Sequence, residues 1–223
     1  MRVAQALFAL ILPLALPPGL SRAEGVAKAL VQVPDSGGQN ARSNMMRVYG
    51  PTDPPYAFWR FCDEFPADCA RQRKIEARFD VTPERMAQLD ATNRRVNREI
   101  EPVTDLELYG VSDYWTLPRS GKGDCEDYAL LKRHELIDAG WPASALLMTV
   151  VRDEKRDGHA VLTARTTHGD FILDNKTDDI KLWNRTPYRY VMRQSYLDPK
   201  AWVALDPAQS VPPAAIVAAM RTQ

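Results

Sequence analysis

The sequence predicts an α+β fold, and three observations carry that prediction. Helix start and stop signals cluster between residues 82 and 142. Strand-like segments cluster between 145 and 205. Two of those segments read as a hairpin around Thr166-Thr167-His168-Gly169, a connection short enough to make them antiparallel neighbours.

Taken in order, the chain opens with Arg2, an apolar run from Ala6 to Leu16, and Pro17-Pro18-Gly19. Ser21-Arg22-Ala23 then places small residues where a processing peptidase needs them. Residues 1–23 therefore read as a secretory signal peptide, the apolar run being shorter than the roughly 18 residues that a membrane span requires. No later segment is apolar enough to span, so the mature protein is expected to be exported and not membrane-spanning. Its length, about 200 residues, suits one domain with a sizeable core. Residues 24–55, rich in Gly, Pro, Ser and Asn, read as an irregular leader. Residues 56–210 read as the domain, and 211–223 as an Ala-rich tail. Lys+Arg and Asp+Glu both number 29, which leaves no electrostatic case for nucleic acid or a membrane surface.

Cys62 and Cys69 come next. In an exported protein a local disulfide is the default, with a Cys–Cys metal site as the competing reading, though no nearby pair of ligands completes one. Ala67 to Phe79 reads as a short helix. Thr82 as N-cap and Pro83 at the first helical position start a firmer one, with Met86, Leu89, Val96 and Ile100 at helical spacing and Pro102 ending it. Arg85, Arg94, Arg95 and Arg98 are expected on its solvated face. Val103 to Arg119 reads as loop. Asp124 then caps a second helix, with Asp127 as a capping-box partner, and Gly140 and Pro142 stop it. His134 is expected on the surface of that helix and His168 in a turn. Ala145–Val151, Ala160–Arg165, Phe171–Leu173, Tyr188–Tyr196 and Trp202–Leu205 read as strands.

The chemistry centres on Gly121-Lys122-Gly123-Asp124-Cys125-Glu126-Asp127-Tyr128-Ala129. Cys125, left unpaired by the other two cysteines, falls in the first turn of a helix. Unpaired N–H groups there favour an anion and so a thiolate. His159 and Asp174 follow in strand contexts, and Cys, His and Asp together suggest a nucleophile, a base and an orienting carboxylate. Strand parity is a check. A four-residue loop at 166–169 sets Asp174 opposite Val161 with His159 as its diagonal neighbour, whereas a two-residue loop at 166–167 sets His159 directly opposite. The Cys125 helix would pack its N-terminus against that face. Asp124, Glu126 and Asp127 read either as first-turn acids complementing the helix dipole or as hard oxygen ligands for calcium, which would offset their repulsion of a thiolate.

The wording around these residues adds a resemblance. Gly123-Asp124-Cys125-Glu126-Asp127-Tyr128-Ala129, preceded by Asp113-Tyr114-Trp115 and followed by Gly158-His159-Ala160-Val161 and Leu173-Asp174-Asn175, resembles the bacterial transglutaminase-like cysteine proteinases, periplasmic enzymes of the LapG type. The resemblance runs from about Val48 to Leu205. It implies a papain/transglutaminase-like fold, with the catalytic cysteine at a helix N-terminus packed on an antiparallel sheet. It also implies Cys125 as nucleophile, His159 as base and Asp174 as orienter. The indole N–H of Trp115 becomes a candidate oxyanion donor beside the backbone N–H of Cys125, as transglutaminases use a tryptophan there; packing into the core is the other reading of Trp115. Calcium held by acids of this motif, a large surface adhesin as substrate, and restraint by an inner-membrane cyclic-di-GMP receptor complete what the resemblance implies. Two alternatives stay open: acyl transfer as a transglutaminase or amidase on the same fold, and a regulatory binding module without turnover.

Overall fold

The computed structural model describes residues 44–72 and 75–210. Residues 1–23, read above as a signal peptide, residues 24–43 of the segment read as a leader, and residues 211–223, read as a tail, lie outside the described residues. No helix among the described residues is long and apolar enough to cross a membrane.

A seven-stranded antiparallel sheet forms the frame. Its strands are β1 (Gly50–Thr52), β4 (Leu146–Arg152), β5 (Gly158–Thr166), β6 (Gly169–Leu173), β7 (Lys181–Leu182), β8 (Arg189–Gln194) and β9 (Trp202–Ala204). They lie in the order β1-β9-β8-β4-β5-β6-β7. β2 (Glu101–Pro102) and β3 (Lys122–Gly123) make a small parallel pair apart from it. The longest strands, β4 and β5, are centrally placed and rich in Leu, Val, Thr and Ala, as two-sided burial requires. Arg165 pairs with Asp170 and Leu162 with Leu173, which is the register of the longer loop. Pairing runs on to Thr166 and Gly169, so only Thr167 and His168 turn the chain. Gly169 is needed there: its φ is +145°, and a Cβ would come within 2.7 Å of Leu182 Cδ2 and 2.9 Å of the Asn44 carbonyl oxygen.

The helices gather on one face. They are α1 (Tyr56–Glu64), α2 (Pro83–Glu99), α3 (Asp105–Tyr109) and α4 (Cys125–Asp138). Ala129, Leu130 and Leu136 of α4 join Ala160, Leu162 and Ala164 of β5, with Phe58 and Phe61 of α1 and the indoles of Trp115 and Trp202, in the main core. Each large side chain buried there contributes roughly 1.5–3 kcal/mol. α2 starts as the sequence indicates, Thr82 Oγ1 accepting from the Arg85 N–H with Pro83 inside the first turn. Its Val96, together with Ile100, packs against Tyr128 of α4. The arginines of α2 are more engaged than a merely solvated face: Arg94 pairs with Asp90 and Asp178, and Arg95 with Glu99 and Glu135. The opposite face of the sheet packs Met46, Val151, Val161, Ile172, Tyr190 and Leu205.

Three local readings are corrected, and one helix was not read. Ala67 to Phe79 does not form a helix over its described residues. Cys69 there is disulfide-bonded to Cys62, and Phe79 runs beside Thr166 with its N–H on the Arg165 carbonyl. The helix of this region is α1, which begins after Pro55 without any side-chain cap and so carries no polar start signal. The leader read over 24–55 contains β1, which pairs with β9. The loop read over 103–119 contains α3, opened by a capping box between Thr104 and Glu107.

Candidate active site

Cys125 is the first residue of α4, and Cys62 and Cys69 are bonded, so its thiol is the free one among the described residues. The thiol donates to Glu126 Oε2 at 3.1 Å and accepts from the Ala160 N–H at 3.4 Å. It thus meets β5 at the residue after His159. α4 itself lies on the Ala160, Leu162, Ala164 face of the strand, while alternation puts His159 and Asp174 at the other positions. The helix N-terminus therefore meets the beginning of β5 at Ala160, from the face opposite the one that carries His159, and does not pack against the histidine's face as the sequence suggests.

His159 and Asp174 are both buried, and His159 Nε2 donates to Asp174 Oδ1 at 2.9 Å. The diagonal register allows this contact. Asp174 is held on all sides. Its Oδ1 also accepts from the Lys176 N–H at 3.0 Å, its Oδ2 accepts from the Tyr188 hydroxyl, and its carbonyl accepts from Asn97 Nδ2 at 3.0 Å. Burial pushes the Asp174 carboxyl up, but the bonds from His159 and Tyr188 and the imidazole's charge bring it below its ordinary value. Tyr188 also sets its ring edge-on to His159, with centroids 5.5 Å apart. It touches both partners, and nothing in its sequence neighbourhood announces it.

At the Cys125 thiol the helix N-terminus is outweighed. Burial first, and then the Glu126 carboxylate, push the thiol well above its ordinary value. The same burial raises Glu126 to about 10, with Asp124 beside it, and Asp127 to about 8, with Asp124 and Asp105 nearby. Asp124 does not cap α4 by a side-chain bond. Its Oδ2 accepts instead from the Asp105 N–H at 3.2 Å.

The acids form a larger group than the sequence indicates. Asp105 of α3 and Asp113 of the following loop bring carboxylate oxygens to the same place as Asp124, Glu126 and Asp127; within each of the sets Asp105–Asp113–Glu126 and Asp105–Asp124–Asp127 the oxygens lie within 4.8 Å of one another. One oxygen each of Asp105, Asp124 and Asp127 is buried without a hydrogen-bond partner among the described residues. Burial also raises Asp105 and Asp113, each with Asp124 adding to it. Five carboxylates, three of them with an orphaned buried oxygen, fit a hard cation that takes six to eight oxygen ligands. Asp113 stands in the Asp113-Tyr114-Trp115 stretch and could have been noticed; Asp105, nineteen residues before Asp124, could not.

Trp115 is buried against Phe58 and Trp202, and its indole N–H donates to Asp113 Oδ1 at 2.9 Å. In this arrangement the N–H offered to an oxyanion is engaged elsewhere. His134 is less free than expected, its Nδ1 lying 2.9 Å from Asp68 Oδ1, whereas His168 sits in the turn as read.

Among solved structures the chain is similar to calcium-bound Legionella pneumophila LapG, at 21% identity over 89% of this chain and 97% of that one, with a TM-score of 0.47. It is similar also to EGTA-treated Legionella pneumophila LapG, at 22% identity over 82% and 85%, with a TM-score of 0.45. No curated protein matches it significantly. Residues 48–210, which take in every helix and strand described above, match the model of the bacterial transglutaminase-like cysteine proteinases, and the chain belongs to that family of cysteine proteases.

Proposed function

We propose that the protein is an exported, calcium-dependent cysteine endopeptidase working through Cys125, His159 and Asp174. The observation that carries this reading is the Nε2 bond to a buried, fully hydrogen-bonded Asp174, which leaves Nδ1 of His159 for the thiol whose sulfur lies on the neighbouring N–H. His159 takes the thiol proton at Nδ1, and Asp174 fixes the tautomer and stabilises the imidazolium. Cys125 attacks the peptide carbonyl, with its own backbone N–H at the helix N-terminus facing the oxyanion, and Trp115 stays a candidate second donor if its indole leaves Asp113. His159 then protonates the leaving amine, and water releases the acyl group.

Asp105, Asp113, Asp124, Glu126 and Asp127 would hold calcium. When bound, the ion offsets the negative charge beside the thiol and so favours the thiolate. Export to the periplasm is supported by the apolar segment ahead of Ala23 and by the disulfide. A large surface adhesin, cut at a paired-alanine site near its N-terminus, is the substrate this reading favours, with an inner-membrane cyclic-di-GMP receptor as restraint.

Incubation with a protein carrying an Ala-Ala bond in an extended segment tests the reading. Wild type should yield two fragments with a new free amine, and Cys125→Ala, folded by circular dichroism, should yield none. Cleavage by the folded variant would refute the nucleophile. An isopeptide crosslink in place of fragments would move the protein to acyl transfer. Failure of wild type to react with any thiol-directed activity probe would leave a binding module.

A further inference from the structure

The sheet face turned away from α4 carries positive charge that the described residues balance only in part. Arg165 of β5 is 7% exposed and Arg193 of β8 is 2% exposed. Neither Nε nor Nη1 of either guanidinium donates to an acceptor among the described residues. Arg193 stands opposite Thr149 in the β4–β8 pairing, and Arg165 opposite Asp170 in the β5–β6 pairing. By alternation all four share one face of the sheet with Thr163.

Asp170, itself fully buried, is the carboxylate that both arginines feel, and its oxygens are taken. Arg78 Nη1 donates to Oδ1 at 2.7 Å and the Met46 N–H to Oδ2 at 2.8 Å. Arg78 in turn adds a third positive charge to the same neighbourhood. The nearby hydroxyls are also committed, Thr149 Oγ1 and Thr163 Oγ1 lying 2.6 Å apart. Arg165 lies over the ring of Tyr196, 4.6 Å from its centroid, which stacks the cation without neutralising it. Burial, with Arg193 and Arg78 beside it, lowers Arg165 to about 9, so it stays charged at neutral pH. Among the described residues, three guanidinium groups thus share the Asp170 carboxylate.

Buried charge is normally paired, and the planar guanidinium fork matches the oxygens of a carboxylate or a phosphate. We propose that Arg165 and Arg193 form a binding site for an oxyanion, a phosphate or carboxylate group, on the sheet face opposite the Cys125 helix. Arg165 lies six residues along β5 from His159, roughly 20 Å at 3.3 Å per residue, so this site is separate from the catalytic one.

The test is calorimetric titration of the full chain at low ionic strength with inorganic phosphate and, separately, with acetate. Saturable one-to-one binding of either anion, with a rise in melting temperature, is expected. Phosphate alone binding identifies a phosphate group as the partner, and acetate alone binding a carboxylate. Arg165→Gln and Arg193→Gln should each weaken the affinity at least tenfold, whereas Arg71→Gln, at an exposed arginine paired with Asp198, should not change it. If either glutamine variant fails to fold, Arg165→Lys, which keeps the charge and loses the fork, should weaken binding in the same direction. Failure of wild type to bind either anion, or unchanged affinity in the Arg165 and Arg193 variants, would overturn the proposal.

Discussion

Asp174 shows how much of the chemistry sits in single side chains. Its bond to His159 was anticipated from strand parity, because a hairpin with a short turn leaves few registers to choose from. The Tyr188 hydroxyl on its other oxygen was not, since β8 reaches the site only through the sheet order. Tyr188→Phe should lower kcat by about tenfold, the equivalent of about 1.4 kcal/mol and near the low end for a hydrogen bond to a charged group. KM should change little, and a variant with unaltered kcat would show that Lys176, Asn97 and His159 suffice to hold Asp174. Lys132 gives a second prediction. It is fully buried on α4, its amine has no hydrogen-bond partner among the described residues, and it lies over the Tyr128 ring. Burial lowers it from 10.5 to about 7, against the partial support of Asp174 and Asp178. Between those two values the unfolded chain holds the proton and the folded one does not, so this group makes stability rise with pH across that window, with its full penalty present below about 7. Lys132→Met should therefore melt higher than wild type at pH 6 and lose that advantage as pH approaches 10. A difference that does not vary with pH would mean that the change is one of packing alone.

At the scale of elements, what could be read was what announces itself locally. α2 carries Thr82-Pro83 at its start, and α4 has a glycine-bearing loop before it and Gly140 after it. α1 has aromatic residues and no polar cap, so packing of Phe58 and Phe61 makes it a helix where propensity would not. The acid group defied reading for a different reason: it is assembled by α3, the loop after it and the start of α4, three pieces that the parallel pairing of β2 with β3 draws together. Gly123, the last residue of β3, makes that assembly possible. A Cβ there would come within 2.5 Å of Asp127 Oδ2 and 2.8 Å of Asp127 Cβ. Gly123→Ala should displace a carboxylate that accepts from the Thr116 N–H at 3.0 Å. Overpacking of this kind costs about 1–3 kcal/mol. The expected result is a lower melting temperature together with weaker calcium binding by calorimetry. A variant equal to wild type in both would mean that the loop yields freely.

At the scale of the whole molecule, the α+β class was visible because helix signals and strand signals occupy different halves of the chain. The order of the strands was not, because β1 and β9, brought together at one side of the sheet, come from opposite ends of the domain. Stability of the whole should depend on the cation. Chelation should lower the melting temperature and activity, and calcium should restore both better than magnesium, which demands a tighter octahedral shell. By mass action the gain is about 2.7 kcal/mol at a hundred times the dissociation constant. Equal melting temperatures in calcium and in chelator, with full activity in both, would leave the five acids without that role. One further consequence lies in the margins of the sheet. The long strands are interior, while the two outer ones, β1 and β7, have three and two residues. Such stubs offer an incoming chain almost no ladder to extend. Among the described residues, then, the sheet presents little free backbone edge with which a polypeptide substrate or a second copy could pair.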